Sequence, residues 1–421
     1  MKKILFISFI LLSTFTFAQI PNIYGDTFPD SAKTRIGIVG EYGLNASAFT
    51  STFISKFYRG GYIDKALKDQ VLERTRNKNR MGADINYGVY AAFKLDSFLH
   101  KENFSVFVSL RDRQHFDASY SKDFYKVGFY GNHDYAGRIA DLSGFSLNLL
   151  RYQQFQIGLF SNKLDSAARW GVALSVLKGE QYASIYAKQA ELFTSEDGQY
   201  IDFNTSLQVA QSDTAKKGIG AFNGIGASVD IFFEAPFKTK IGDSKLTVSV
   251  ADIGLIQFNQ QTLYLNQDSL FHYTGFEVNS IYDLQDSTFS GTSQDSIINN
   301  IAPFKKQKVN ATLPSTLNII YSTDLSPKFT LSEGIRYVFN GNYNVLFYVR
   351  GNYLINKNIS VNATIGYGGY GNMNYGLGVY ANIAKGFMIY AGSNNIEGFI
   401  APNKAAGQGA YISLIKNFKK R

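Results

Sequence analysis

The sequence predicts an all-β chain: a single transmembrane antiparallel β-barrel of about 14 strands with a short amphipathic helical segment. Three observations carry this. Residues 358–368 place Ile359, Val361, Ala363, Ile365 and Tyr367 at the odd positions and polar or small residues at the even ones. A two-residue period over about ten residues describes a strand with one oily and one wet face, long enough to cross a bilayer when tilted. The pattern then recurs along the chain, for example at residues 372–382, where Met373, Tyr375, Leu377, Val379 and Ala381 share one parity. Finally, the chain opens with Lys2 and Lys3, an apolar run over residues 4–12 and a small-residue exit at Ala18, which reads as an export leader cleaved after Ala18.

This leader divides the chain into residues 1–18 and a barrel over residues 19–421. The apolar run is shorter than the ~20 residues that a spanning helix needs, so an uncleaved anchor is disfavoured. The chain has no cysteine, which excludes a lipid-anchored cysteine and any disulfide. Aromatic residues make up 15% of the chain, and Tyr and Phe far outnumber the single Trp, as suits the interfacial girdles of a barrel. The net charge is +9, and loss of Lys2 and Lys3 with the leader lowers it by two, to +7. Solvated basic loops explain this balance, which also favours anionic headgroups or solutes and does not call for nucleic acid.

The elements follow in order. Residues 35–44 form a first, impure strand. Between residues 49 and 79 the period changes: Ile63, Leu67 and Val71 recur every four residues, Asp64 stands near the start, and Arg74, Arg76 and Lys78 crowd the end. Acid first and base last complements the helix dipole, so a helix is expected over residues 63–76. It would serve as a hatch in the lumen, lie on the membrane surface, or simply connect strands at one rim. Residues 80–93 alternate cleanly, with Met81, Ala83, Ile85, Tyr87, Val89, Ala91 and Phe93 on one face. Residues 104–111, 169–176, 201–210 and 343–353 agree. Gly218, Gly220, Gly224 and Gly226 are expected on one face of another strand. Residues 259–308 are rich in Gln, Asn, Ser, Thr and Asp and read as a long polar loop with its own hairpin, because barrels lengthen the connections at one end. Asn340-Gly341-Asn342, Asn356-Lys357-Asn358 and Ala384-Lys385-Gly386 mark short turns in a late meander. Glu333 shares the apolar parity of Leu331 and Ile335, so either a bulge shifts the register there or the carboxylate lies near the interface. At the C-terminus Ile412, Leu414 and Phe418 share one parity, with Lys416 interrupting them.

Motifs for chemistry are sparse. The four histidines fall in no zinc-ligand spacing, and no nucleophile elbow is present, so neither an enzyme nor a cofactor is expected. Residues 366–371 contain enough glycine to suggest a nucleotide loop, yet they join two strands and open no helix, which leaves a hairpin turn. The main charged cluster is Arg111, Arg113 and His115, which share one strand face with Asp112 on the other. A lumen or rim charge ladder explains these three better than catalysis does, with Arg111 and Arg113 attracting anions.

The stretches Gly60-Gly61-Tyr62-Ile63-Asp64, residues 77–88, Gly131-Asn132, Tyr135-Ala136-Gly137 and residues 392–396 resemble an uncharacterised outer-membrane barrel family of Bacteroidota. The Phe17-Ala18-Gln19 leader exit resembles that phylum's signals. The likeness covers essentially the whole mature chain and is most distinctive over residues 77–88. It implies the barrel and the cell outer membrane and brings no activity with it. More distantly, the architecture is similar to the long-chain fatty acid transporters and to the barrels of the type IX secretion system. In the former a hatch precedes the first strand, whereas here the strand at residues 35–44 comes before the helical segment.

Three functions are therefore compared: a passive channel or transporter for a small or hydrophobic solute, a structural or assembly partner of a surface secretion or motility complex, and a barrel-embedded enzyme. The first is preferred, and the third is disfavoured because no nucleophile and base stand out. The expected partners are outer-membrane lipid, the barrel-assembly machinery, and a small hydrophobic or anionic solute or a surface protein complex. A secreted β-sandwich is the alternative fold, disfavoured because its polar faces should be richer in Lys and Glu.

Overall fold

A computed structural model describes residues 32–98, 103–161, 168–216, 218–274, 304–384 and 386–419. The expected leader and most of the polar loop at residues 259–308 lie outside these residues.

Strand β1 (Ala32–Ala46) leads to a first long connection holding helices α1 (Ser51–Arg59) and α2 (Lys65–Arg74). β2 (Asn79–Lys94) returns, and β3 (Phe104–Tyr120) leads to a second connection with α3 (Lys122–Tyr130), a 3-10 turn (His133–Tyr135) and β4 (Arg138–Asp141). β5 (Ser146–Ser161) returns, and β6 (Arg169–Thr194) runs on past the rim to meet β7 (Ile201–Gln211). β8 (Gly224–Lys238) and β9 (Asp243–Phe258) precede a third excursion with β10 (Leu263–Tyr273), β11 (Lys305–Lys306) and β12 (Val309–Thr312). A meander follows: β13 (Thr316–Ser326), β14 (Phe329–Val338), β15 (Asn344–Asn356), β16 (Ile359–Gly369), β17 (Met373–Ala384) and β18 (Phe387–Ser393). A connection with α4 (Glu397–Ile400) leads to β19 (Gly407–Lys419).

Fourteen strands close into one antiparallel barrel in the order β1-β2-β3-β5-β6-β8-β9-β13-β14-β15-β16-β17-β18-β19. Closure comes from β19 pairing back onto β1, from Ala32 opposite Lys419 to Asn45 opposite Gly407. The long connections all lie at the end away from the start of β1 and the finish of β19, so one rim is built up and the other is short-turned. The alternation has its physical cause in the pleat: Ile36 and Ile38 on β1, Ile85 and Val89 on β2, Ile157 on β5 and Leu174 on β6 all point outward and exposed. Ile365, Tyr367, Tyr375 and Leu377 do the same on β16 and β17. This outer belt is what a bilayer would cover. Among the described residues no helix is long and apolar enough to cross a membrane.

Several local expectations change. The expected helix over residues 63–76 is α2, shorter at both ends, and α1 precedes it. Thr50 caps α1 by accepting the Phe53 N–H at 3.2 Å, and Gly60 ends it in the left-handed region at φ 70°. Asp64 caps α2 by accepting the Leu67 N–H at 2.9 Å. Both helices sit at the rim. Leu67 and Val71 are buried with Phe53, Tyr120 and Tyr125, and Ile63 packs at the edge of the same cluster. Hydrogen bonds from Gln70 to the Asn403 carbonyl and from Arg74 to the Lys404 carbonyl tie α2 to the last connection. Gly218 and Gly220 lie in a connection, while Gly224 and Gly226 lie in β8, so the expected four-glycine strand face is not formed. β10 pairs along its length with β7 and meets β11 only at Leu263 and Tyr264, so no self-contained hairpin forms in the described part of that loop.

Glu333 sits opposite Tyr321 and Val349 with no register shift beside it, and its carboxylate faces outward and exposed among Ile319, Ile335 and Phe347. The proposed bulge is absent. A carboxylate on the belt is costly, so Glu333→Leu should raise the unfolding free energy in lipid vesicles by on the order of 1 kcal/mol, and a neutral or destabilising result would place Glu333 outside the lipid. At the rim, Asp69 accepts hydrogen bonds from Lys65 and Tyr130, both at 2.7 Å, which hold its pKa below the ordinary carboxylate value, while burial first and then the bond to Asp69 push the Tyr130 phenol up. A lowered folded-state pKa contributes stability that is present above the ordinary Asp value of ~3.9 and is lost as pH falls through the lower folded value. Hydrogen exchange in α2 and α3 should therefore speed up in that acidic window, and Asp69→Asn should abolish the dependence.

Candidate functional site

The inward faces of the strands divide the lumen into two unlike sides. From β3 round to β9 the interior is filled. Val39, Tyr90, Phe107, Phe160, Ala173 and Phe232 form an apolar cluster toward the short-turned end, and Leu150, Tyr152, Leu177, Ile256 and Phe258 form another toward the rim. Between them lies a polar layer. Arg113 meets Asp252 at 2.6 Å and Gln154 at 3.4 Å; Gln154 donates to Asp252 and Ser175, both at 3.1 Å. Arg111 donates to Gln156 at 2.5 Å, and Gln156 donates to Asp230 at 2.8 Å. Gln154 and Gln156 are 0% exposed and Asp252 only 2%, so this layer is buried and extensively hydrogen-bonded, although the Arg111 Nε is buried without a partner.

Arg111, Arg113 and His115 share the inward face of β3. Each is engaged: His115 lies 2.7 Å from Asp84 through Nδ1 and 3.0 Å from Asp117 through Nε2, and Asp117 also accepts from Asn342 of the β14–β15 turn. Asp112 points to the outer face, where Arg151 bridges it at 3.2 Å to Glu180 at 2.9 Å, beyond the apolar Leu110 and Phe155. The partner sequence reasoning missed is Asp252. Two residues of β9, Ala251 and Asp252, oppose the single Asp230 of β8, and Asp252 takes a left-handed φ of 62° that lets its N–H bond the Asp230 carboxylate at 2.8 Å. The signal was present as a change of phase, since Val248 and Val250 carry the outer parity before the bulge and Ile253 and Leu255 after it.

From β13 round to β19 the inward residues are different. Asn318, Ser332, Arg350, Asn352, Asn362, Tyr380, Tyr390 and Tyr411 are polar and partly exposed inside the wall, while the amide oxygens of Asn318 and Asn362 are buried. Arg111, Arg113 and Asn148 on the packed side are also partly exposed; what sets the β13–β19 side apart is that, among the described residues, its inward face is mostly polar and joins neither buried apolar cluster. Near the rim this side opens into a cavity of about 130 Å³ between β1 and β2 on one wall and β14, β15 and β16 on the other. Two rings reach into it because the strand beneath offers no side chain. A Cβ on Gly82 would stand 2.2 Å from the Tyr370 ring, and one on Gly334 2.2 Å from the Tyr348 ring. Tyr343 stacks edge-on against Tyr370 with centroids 4.9 Å apart, and the Arg350 guanidinium lies 5.5 Å from the Tyr348 centroid. Asn45, Asn374 and Asn395 form a hydrogen-bonded trio at the same rim, linked at 2.8, 3.0 and 2.9 Å. Among the described residues no His, Cys, Asp and Glu group is arranged to hold a metal.

An all-β closed barrel with an apolar belt, a built-up rim and a polar lumen defines the class of protein as a transmembrane β-barrel. The chain belongs to a family of unknown function, DUF5723, whose model matches residues 29–394. Among curated proteins, none matches the chain. Similar solved structures include a mutant of the monoaromatic hydrocarbon channel TodX, at 8% identity and a TM-score of 0.47 over 96% of both chains. The translocator domain of the autotransporter NalP from Neisseria meningitidis is similar at 8% identity and a TM-score of 0.34, over 93% of this chain and 90% of that one. The toluene transporter TbuX of Ralstonia pickettii is similar at 9% identity and a TM-score of 0.31, over 92% of this chain and 90% of that one. These are likenesses of fold alone.

The buried Arg113–Asp252 pair makes a sharp prediction. Asp252→Ala should cost about 3–5 kcal/mol by leaving the guanidinium uncompensated, while Arg113→Met combined with Asp252→Leu should recover most of the loss. Urea unfolding in vesicles checks both; equal costs for the single and double variants would show that the pair is not coupled.

Proposed function

We propose that the protein is an outer-membrane barrel that passively admits small polar solutes through the hydrated side of its lumen. The observation that supports this reading is the run of polar, partly exposed inward Asn, Ser, Tyr and Arg side chains from β13 to β19, set against the two buried apolar clusters of the packed side. A barrel of about 14 strands is intermediate between side-chain-filled barrels and open porins, so a lumen half filled by side chains is in keeping with its size. In this reading the long connections face the cell exterior, as in other barrels of this kind, and the leader directs the chain to the outer membrane. Arg111 and Arg113 stand behind their carboxylate and amide partners, so the cations that act on a passing solute are Arg336 and Arg350.

The alternative, a closed assembly partner, draws on the sheet of β4, the outer half of β6, β7 and β10 that projects past the rim. Single-channel recording of residues 19–421 in planar bilayers separates the two. The expected result is small, stable current steps with anion preference, and Arg350→Glu should shift the reversal potential toward cations. Silence from protein shown to be folded and inserted would overturn the conduit reading in favour of an assembly role.

A further inference from the structure

The rim cavity is chemically two-ended. On the β1–β2 wall stand the carboxylates of Glu41 and Asp84 and the Asn45 side chain, whose Oδ1 is buried without a hydrogen-bond partner. On the β14–β15 wall stand Arg336, Arg350 and Tyr348, and here the Arg336 Nε and the Tyr348 hydroxyl are buried without a partner. Acceptors therefore gather on one wall and donors on the other. Four strands, β16 to β19, separate β15 from β1 around the barrel, so the two walls face each other across the space. Among the described residues no ion pair within 4.0 Å joins Glu41 or Asp84 to Arg336, while Arg350 donates to Thr364 at 3.1 Å through its Nε. Glu41 accepts only a 3.3 Å hydrogen bond from Asn86, and Asp84 keeps to His115. Opposite charges left apart, with orphaned donors beside the cations and an orphaned acceptor beside the anions, leave a gap that a third body of matching polarity completes.

We propose that this cavity binds a small zwitterion, with its ammonium among Glu41, Asp84 and Asn45 and its carboxylate among Arg336, Arg350 and Tyr348. The inference deepens the conduit reading by naming its solute class, and rests on it only for the solute's passage. The cavity holds about 130 Å³, which at ~30 Å³ per water is room for at least about four waters, the scale of a small amino acid. The guanidinium pair suits a carboxylate because its planar N–H donors meet two oxygens at once. Tyr343 and Tyr370 close the side toward the turns and, being aromatic, favour the ammonium end. A plain anion would leave the Glu41 wall repelling it, and a plain cation would be repelled by the arginine wall, so the site discriminates by repulsion as well as attraction.

Calorimetry on the folded full chain in detergent tests this with glycine, β-alanine and 4-aminobutanoate, each compared with the carboxylate and the amine that lack its second charge. At least one amino acid should bind about tenfold or more tighter than both of its singly charged analogues. Glu41→Gln should remove that preference while leaving carboxylate binding in place, and Arg336→Gln should weaken binding of both. Tyr348→Phe, which removes one hydroxyl, serves if Arg336→Gln fails to fold by gel mobility before and after heating. No binding by any probe, equal binding of the analogues, or binding unchanged in the variants would each overturn the proposal. Current steps without amino-acid binding would remove this inference and keep the conduit; binding without current would do the reverse.

Discussion

In the hydrocarbon of a bilayer no water is available to satisfy backbone N–H and C=O groups, so a membrane-spanning sheet must leave no open edge. Here that requirement falls on β1 and β19, the two ends of the chain's strand order, which pair from Ala32 to Asn45. With an even number of antiparallel strands, the start of β1 and the finish of β19 lie at the same end of the barrel, and the long connections lie at the other. It also explains why the C-terminal strand tolerates Lys416: that side chain lies on the outer face near the final residues, over the Phe418 ring, where the belt is ending. Because closure is a property of the whole ring, loss of one strand turns a barrel with no edge into a sheet with two.

Once the ring is closed, its interior has to be either packed or wet, and the chain does both. On the β3–β9 side, residues with charge are held by neighbours chosen to neutralise them, as Asp252 does for Arg113 and the Asp84–Asp117 pair does for His115. The bulge at Asp252 is what brings its carboxylate to Arg113 while its amide serves Asp230. A buried pair of this kind adds little net stability, but it fixes which strands lie opposite each other across the lumen. On the β13–β19 side the inward Asn and Tyr side chains are partly exposed, and the Asn318 and Asn362 amide oxygens and the Tyr348 hydroxyl are buried without a partner.

The fold was legible wherever one face meets lipid and the other meets polar lumen. Residues 358–368 and 80–93 became β16 and β2 with the outer and inner parities as read, because the pleat leaves no other solution once one face must be apolar. Reading stopped where the period lost its meaning. α1 carries the sequence Ser-Thr-Phe-Ile-Ser-Lys-Phe-Tyr-Arg, too short and too poor in strong helix formers to stand out, and it is held by the Thr50 cap, Gly60 and the rim cluster around Phe53. Glu333 was read on the outer parity, and the structure keeps it there. Of the lumen, Arg111, Arg113 and His115 could be assigned to one face from spacing alone. Their partners could not, since Asp252 stands 139 residues from Arg113 and only closure of the ring brings them together.

The rim cavity shows how the two sides of the barrel depend on each other. Tyr370 and Tyr348 can enter the lumen only because Gly82 and Gly334 stand beneath them, so these glycines leave no void of their own; they are seats for rings. Those rings line the gap between the wall of Glu41 and Asp84 and the wall of Arg336 and Arg350. The strand number of the closed ring sets how far the walls stand apart, and the rings fill part of the space between them. The His115–Asp84 contact braces the acidic wall from the packed side, and the Asp117–Asn342 contact ties the β14–β15 turn to the same histidine. The packed half of the lumen thus anchors Asp84 and the β14–β15 turn, while the closed ring fixes the span between the acidic and basic walls.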